Sequence, residues 1–147
     1  MAIKFTITGN PVSSKNSIRS GITKQGRNYT YKTKAVKEYF DNGLKELQEQ
    51  SMGAYLCYAT IDTDNKIKTH RVKLPIKSYI EAQFLFYVKD NRKRDLVNLC
   101  QAPCDLLQKA GIIENDYLII SLDGSRIAGI DKDNPRTEII IKVKEHL

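Results

Sequence analysis

The sequence predicts an α+β domain in which a mixed β-sheet carries two principal helices. Residues 79–88 give the strongest strand signal, because all their even-numbered positions are apolar. Residues 96–110 place apolar side chains at the spacing of one helical face. Two further strand-like runs, at 3–7 and 137–143, lie near the ends of the chain. Together these runs favour a sheet of about five to seven strands with helices packed on it.

The N-terminal half follows from local signals. Alternation at 3–7 predicts a half-buried strand, and the proline, serines and glycines of 9–27 predict a flexible basic loop. A helix is expected from Thr33, which is placed to cap it, to about Gln50. Its apolar stripe consists of Val36, Tyr39, Phe40, Gly43 and Leu47. Residues 52–78 give weaker signals, which favour a β-hairpin with a basic outer face.

The C-terminal part predicts three strands separated by tight turns. The strands are Tyr117 to Leu122, Arg126 to Ile130 and Thr137 to Val143. Asp123 to Ser125 and residues 131–136 supply the turn residues between them. These strands complete the sheet.

The second helix has recognisable start and stop signals. Asp95 stands where a side chain caps the first exposed N–H groups, and Gly111 stands where a left-handed residue ends a helix. Pro103 lies inside the run, removes one backbone hydrogen bond and clashes with the carbonyl of Leu99. It predicts a kink or a late helix start.

Acidic residues stand at both ends of this segment. Asp95 opens the helix, and Asp116 follows the residues that come after it. A helix of about fifteen residues rises roughly 22 Å, whereas the residues from Gly111 to Asp116 reach back at most about 17 Å when extended. The spacing therefore permits a shared site but does not require one.

The composition is that of a basic globular protein. With 147 residues, the chain is expected to form one domain over residues 1–147. The net charge of +7 favours an anionic partner, and nucleic acid is the commonest one. The sequence offers no run that approaches eighteen apolar residues and no signal-peptide core, so we expect a cytoplasmic protein without a membrane partner.

The cysteines favour a reducing compartment. Cys57, Cys100 and Cys104 are odd in number and cannot all pair. Cys100 and Cys104 lie one helical turn apart and offer two metal ligands, but the sequence has no second Cys or His pair with matching spacing. Buried small apolar residues are the favoured interpretation.

The basic approach to Asp95 and the acids beyond it fit a known signature. In register with that signature stand Arg94, Asp95, Leu96, Asn98, Leu99, Asp105, Leu106, Gly111 and Asp116. The pattern resembles the RusA-like Holliday-junction resolvases, whose signature is a basic approach, D-L-D-N at a helix start, a Lys shortly after, and a D-D pair about twenty residues on. Gly9 to Arg19 is similar to the proline-containing opening of the family, and Tyr31 to Asn42 to its first helix.

Three positions depart from the family pattern. Val97 stands in place of the second Asp of D-L-D-N, Gln101 in place of the Lys, and Asn115 in place of the first residue of the D-D pair. Val97 offers no lone pair, so metal affinity should fall, although one or two carboxylates with water and substrate phosphate can hold Mg²⁺. A weakened, a rearranged and a lost active site all fit these residues.

The resemblance implies a divalent-metal-dependent endonuclease that acts as a homodimer on Holliday junctions or other branched DNA. It implies that Asp95 and Asp116 hold Mg²⁺ or Mn²⁺, with Asn115 as a neutral oxygen ligand and Glu114 or Asp105 as further candidate ligands. Lys15 or a neighbouring residue is expected to assist at the phosphate in place of the missing Lys. The residues expected to position the DNA backbone are Lys15, Asn16, Arg19, Arg92, Lys93 and Arg94.

Two other interpretations stay open. Val97 and Gln101 favour a protein that binds junctions but no longer cuts them. A basic domain that binds RNA or protein requires the resemblance to be accidental. Cleavage of a synthetic junction separates a nuclease from a binder.

Overall fold

The elements are those of a computed structural model that describes residues 2–13, 18–53 and 55–147. In chain order they are β1 (Ile3–Thr8), β2 (Ile18–Ile22), β3 (Asn28–Lys32), α1 (Lys34–Gln50), β4 (Tyr55–Ile61), β5 (Ile67–Lys73), β6 (Tyr79–Val88), α2 (Leu96–Lys109), a 3-10 helix (Asp116–Leu118), β7 (Ile119–Ser121), β8 (Arg126–Ile130) and β9 (Arg136–Lys144). Neither α-helix of the described chain has the length and apolar character needed to span a bilayer.

The main sheet is mixed and is built around β6. The antiparallel strands run in the order β1-β9-β6, and β7 and β8 both pair in parallel with β6 on its other side. The helix α2 connects β6 to β7, so β6, α2 and β7 form a parallel crossover unit. Two separate hairpins, β2–β3 and β4–β5, accompany this sheet. The mixed sheet and the two helices confirm the predicted α+β class.

The core lies between one face of the sheet and the two helices. Phe84 and Phe86 of β6 are fully buried, as the alternation of the strand predicts. Gly43 lets α1 approach closely, because a Cβ there would lie 3.0 Å from Leu106 of α2 and 3.1 Å from Ile7 of β1. The predicted stripe of α1 is buried in full.

A buried hydrogen bond ties α1 to β9. The hydroxyl of Tyr39 and that of Thr137 lie 2.9 Å apart. Burial raises the pKa of Tyr39 to about 12, so its hydroxyl stays neutral across the physiological range. The pair satisfies two polar groups that burial would otherwise penalise.

Side chains of α1 cover the open edge of β1. Gln50 accepts from the Thr6 N–H at 2.8 Å and donates to the Thr6 carbonyl at 2.7 Å. Glu46 accepts from the Thr8 N–H at 3.1 Å. The two side chains thus form hydrogen bonds with backbone groups of β1 to which another strand would otherwise bind.

Some predicted boundaries were wrong. The expected loop at 9–27 contains β2, which pairs with β3, and Tyr31 lies in β3 rather than in the first helix. Cross-strand pairing overrides the turn-rich composition there. The late start expected from Pro103 does not occur, because α2 begins at Leu96.

The strand expected at 117–122 was also wrong in part. Its first residues form a 3-10 helix, and β7 covers only Ile119–Ser121. The side chain of Asn115 accepts a hydrogen bond from the Tyr117 N–H at 3.2 Å and so caps that short helix.

Candidate functional site

The turn between β6 and α2 is organised by Asp90. Its Oδ1 accepts hydrogen bonds from the Arg92 N–H at 3.1 Å and from Arg94 Nη2 at 2.6 Å. The Arg94 guanidinium also donates to the carbonyls of Asp90 and Arg92. The hydrogen bond from Arg94 is the main reason that the pKa of Asp90 lies below its usual range.

This turn divides the predicted DNA-binding cations. The side chain of Arg94 is only 13% exposed and is engaged by the loop itself, whereas that of Arg92 is 83% exposed. Lys93 is exposed as well. Arg92 and Lys93 are therefore available to a phosphate, while Arg94 shapes the turn that presents them.

Asp95 caps α2 with its carboxylate. Oδ1 accepts from the Val97 N–H at 3.0 Å and from the Asn98 N–H at 3.4 Å. Oδ2 accepts from the side-chain amide of Asn98 at 2.9 Å. Both oxygens thus have a local partner, and Asn98 fixes the direction of the carboxylate. We refer to Arg92, Lys93 and Asp95 as the Asp95 end.

The residues that replace the family acid and lysine lie on the next turns of α2. Val97 is 78% exposed. Gln101 donates its side-chain amide to Oδ1 of Asp105 at 2.9 Å. Both line a groove of about 290 Å³, whose other walls include Cys100, Cys104 and Leu122. The surface between the ends of α2 is therefore largely apolar.

The thiols in this groove are protonated near neutral pH. Burial raises the pKa of Cys100. Burial also raises the pKa of Cys104 to about 12, with added contributions from Cys100 and from the charges of Asp105 and Asp116. Cys100 is buried and Cys104 half-buried, in agreement with their interpretation as small apolar residues, while Cys57 is exposed.

The chain after α2 turns back and delivers Asp116. Gly111 adopts a φ of +74°, as predicted for the residue that ends this helix. Main-chain hydrogen bonds then join Ile76 to both Ile112 and Glu114. Oε1 of Gln108 accepts from the Asp116 N–H at 3.0 Å. These bonds fix the backbone at Asp116, whose side chain is exposed.

Asp116 lies in a pocket of about 310 Å³. Its lining residues are Asp105, Gln108, Lys109, Asn115 and Asp116, which we refer to as the Asp116 pocket. Two carboxylates and a cation thus face one small space. Asn115 also lines this pocket, and its Oδ1 caps the 3-10 helix. Its role as a metal ligand stays a prediction.

Within one chain, Asp95 and Asp116 lie towards opposite ends of α2. Asp95 caps the start of α2, whereas the Asp116 N–H donates to Gln108 near the end of that helix. Two oxygens bound to one Mg²⁺ lie at most about 4 Å apart. That the two carboxylates share one ion stays a prediction.

The carboxylate and amide oxygens near the two ends of α2 are of the type that binds a hard divalent cation, but too few of them lie together. Carboxylates and amide oxygens are the ligands that Mg²⁺ accepts. Yet the residues at 2–13, 18–53 and 55–147 include no group of three or more His, Cys, Asp or Glu side chains that could hold a metal ion.

The N-terminal site residues are only partly described. Lys15 and Asn16 lie outside the described residues, so their predicted roles stay predictions. Arg19 is exposed on β2, opposite Tyr31 of β3. This position leaves Arg19 accessible to a phosphate.

Three side-chain contacts at this site were not predicted from the sequence, although Asn98 itself was named in the family signature. Asp90 organises the basic turn, Asn98 orients Asp95, and Gln108 holds the backbone of Asp116. The role of Asp90 could have been predicted, since an Asp two residues before a cation-rich run is typical of an Asx turn. The role of Gln108 could not, because its partner comes from another segment.

Comparison with known proteins adds one match. Residues 9–142 match the RusA family, described as endodeoxyribonuclease RusA. No curated protein matches the chain.

Proposed function

Because the chain belongs to the RusA family of endodeoxyribonucleases, we propose that it is a divalent-metal-dependent endonuclease that resolves Holliday junctions or other branched DNA. One observation carries this proposal: each end of α2 combines an acid with exposed or pocket-lining cations. Asp95 stands beside Arg92 and Lys93, and Asp116 shares its pocket with Lys109. Phosphodiester hydrolysis needs carboxylates that hold a metal ion, next to basic side chains that hold the phosphate.

The protein acts as a homodimer in this proposal, and each active site draws on both subunits. A two-fold axis beside the middle of α2 places the start of α2 in one subunit beside the end of α2 in the partner subunit. Asp95 then meets Asp116 of the partner subunit, and the same axis makes the second site. The axis also converts two incomplete ligand sets into two complete ones.

Exposed apolar residues on α2 and in the segments that follow it support this arrangement. Val97 is 78% exposed and Tyr117 is 66% exposed, and Leu122 lines the groove beside Val97. A monomer leaves these side chains in water, whereas a second copy would bury them. Contact through α2 would thus gain hydrophobic burial as well as ligands.

The residues of this chain divide the work by position. When bound, Mg²⁺ or Mn²⁺ supplies a Lewis acid at the scissile phosphate and lowers the pKa of an attacking water. Asn98 holds the Asp95 carboxylate in one direction, and Gln108 holds the backbone of Asp116. Arg92 and Lys93 bind the DNA backbone by charge.

The phosphate-assisting role falls to Lys15 in this proposal. Gln101, at the position of the family Lys, is uncharged and donates to Asp105 instead. Lys15 and Asn16 belong to the basic N-terminal segment, and Arg19 on β2 extends that charge. These residues position the strand for cleavage.

The competing function is a protein that binds junctions without cutting them. It is favoured by the hydrogen bonds of Asp95, because capping and Asn98 already engage both its oxygens. Val97 adds no oxygen nearby. In this alternative, cations hold DNA and the acids serve the fold alone.

A subunit-mixing experiment tests the proposal. Asp95→Asn and Asp116→Asn proteins are each expected to leave a labelled four-way junction uncut in Mg²⁺ or Mn²⁺. After mixing and re-equilibration, mixed dimers contain one site with both native acids, so about a quarter of the sites are restored. Nicking by the mixture, but by neither variant alone, supports shared sites.

Two results would count against the proposal. If the native protein binds the junction but never nicks it in either metal, the binder is favoured. If the native protein cuts and the mixture stays inactive although mixed dimers form, the acids do not combine across the two-fold axis.

A further inference from the structure

A small pocket lies where the end of β3, the first half of α1 and the end of α2 meet. It has a volume of about 170 Å³. The residues that give it chemical character are Lys32, Lys37, Phe40, Asp41 and Lys109. We refer to this space as the lysine pocket. Its three cations come from three different elements, so the fold rather than a local run of charge brings them together.

The ring of Phe40 attracts two of these lysines. Lys32 Nζ lies 4.2 Å from the centre of the ring, and Lys109 Nζ lies 5.2 Å from the same centre. An aromatic ring attracts a cation through the negative charge of its face. Because the ring is itself buried, it forms a rigid platform for both side chains. Two ammonium groups that repel each other are thus held near one ring before any ligand binds.

The lysine pocket is positively charged. Three lysines against one aspartate leave a net charge of +2 on its lining. Lys32, Lys37 and Lys109 take part in none of the ion pairs found among the described residues. Ammonium groups that are not engaged by carboxylates can donate to the oxygens of a phosphate. The pocket therefore has the charge and the donors of an anion site.

Lys109 connects the lysine pocket to the Asp116 pocket, because it lines both. It is the last residue of α2, and Gln108 before it holds the backbone of Asp116. An anion in the lysine pocket would therefore lie next to an acid that is proposed to hold the metal ion. A DNA strand carries one phosphate charge for roughly each 3.4 Å of its axis. A strand held at Asp116 thus brings further phosphates to the lysine pocket.

We propose that the lysine pocket binds a backbone phosphate close to the scissile phosphate on the same DNA strand. The proposal rests on the proposed nuclease function and adds a phosphate site to its substrate contacts. Lys32 and Lys109, which lie over the Phe40 ring, donate to the phosphate oxygens, and Lys37 adds a third positive charge. A contact to the backbone reads no base, so its work is to fix the position of the strand at the Asp116 pocket.

Junction binding without metal tests this contact independently of cleavage. The probe is a fluorescein-labelled four-way junction in EDTA, followed by fluorescence anisotropy. Lys32→Gln/Lys37→Gln should bind about tenfold more weakly, with a salt slope lower by about 0.9 for one lost phosphate contact. The matched control, Lys4→Gln/Lys142→Gln, removes the same charge from exposed positions on the face of the sheet away from the helices. It should weaken binding by less than about twofold.

A scan with neutral linkages locates the phosphate. Each junction carries a single methylphosphonate, placed at successive positions around the branch point, and so lacks one backbone charge. A neutral linkage within a few nucleotides of the cleavage site should weaken binding by the native protein about tenfold. The same linkage should weaken binding by Lys32→Gln/Lys37→Gln less than about twofold, because that contact is already lost. Linkages at other positions should affect both proteins equally.

The lysine pocket and the nuclease function fail in different ways. Equal losses of binding in the two double variants, or a scan that is the same for the native protein and Lys32→Gln/Lys37→Gln, would overturn the pocket. A sensitive linkage far from the cleavage site would overturn its place next to Asp116. A protein that shows the position-specific loss but nicks no junction keeps the phosphate site and loses the nuclease function.

Discussion

The two ends of α2 hold one important acid each, but they hold it by different means. At the Asp95 end, the carboxylate itself is bound by the N–H groups of the helix and by Asn98. In the Asp116 pocket, the contact from Gln108 is to the backbone N–H of Asp116 rather than to its carboxylate. In the proposed function, Asp95 therefore serves both fold and site, whereas Asp116 serves the site. The contrast indicates that replacing one aspartate should lower the free energy of unfolding more than replacing the other.

Replacement of the acid in the Asp116 pocket is expected to have the largest effect. Asp116→Asn should lower junction cleavage by about a hundredfold or more, because a neutral amide holds a divalent cation poorly. Its free energy of unfolding should stay within about 0.5 kcal/mol of the native value, as for most surface changes. Cleavage of a labelled junction and urea unfolding check the two parts. A loss of stability in step with activity would show that Asp116 also supports the fold.

An added acid at the Asp95 end should have the next largest effect. Val97→Asp supplies a carboxylate on an exposed position where little packing is lost, so metal affinity and cleavage rate should rise about tenfold. Metal titration of the cleavage rate measures this change. Val97→Thr has nearly the same shape without the charge and is the control. Equal cleavage rates in Val97→Asp and Val97→Thr would show that residue 97 takes no part in metal binding.

The capping role of Asp95 predicts a smaller effect on stability. Asp95→Ala should lower the free energy of unfolding by about 1 kcal/mol, because two N–H groups lose their acceptor. Asp95→Asn keeps an oxygen for those groups and should unfold like the native protein while still failing to cut. Urea unfolding of both variants, with Asp116→Ala for comparison, checks the difference. Similar stabilities for Asp95→Ala and Asp116→Ala would erase the contrast between the two ends.

The smallest effect concerns the pH dependence of the turn before Asp95. The pKa of Asp90 is lower in the folded protein than in the unfolded chain, chiefly because Arg94 donates to it. Its contribution to stability is therefore present above the unfolded pKa and is lost as pH falls through the folded pKa. Unfolding of native protein and Asp90→Asn should differ at neutral pH and converge in acid. In an Arg94→Gln background, the effect of Asp90→Asn on the free energy of unfolding should depend little on pH. If the pH dependence persists there, a partner other than Arg94 lowers the pKa of Asp90.

Much of the fold could be predicted because its signals are local. Alternation identified β6, helical spacing identified the buried face of α2, and Asp95 and Gly111 marked the limits of that helix. These features depend on residues within one or two turns of each other. They leave periodic traces in the sequence.

The rest depended on contacts between distant segments. The β2–β3 hairpin forms in a stretch whose glycines and serines predicted a loop, because its stability comes from cross-strand pairing. The same reason hid the role of Gln108, which contacts a residue eight positions away through its side chain. The spacing of Asp95 and Asp116 permitted a common site, but it did not reveal that Asp116 would lie beside Gln108, near the end of α2 opposite to Asp95.

The cover that Glu46 and Gln50 place over β1 has a consequence for how this protein behaves at high concentration. Backbone groups of Thr6 and Thr8 are already satisfied, so an approaching strand gains little by displacing those side chains. Sheet-to-sheet growth into ordered aggregates is thus disfavoured on that border. The proposed homodimer instead uses surfaces whose unmet contacts are side chains, which allow a closed pair to form rather than an open-ended fibre.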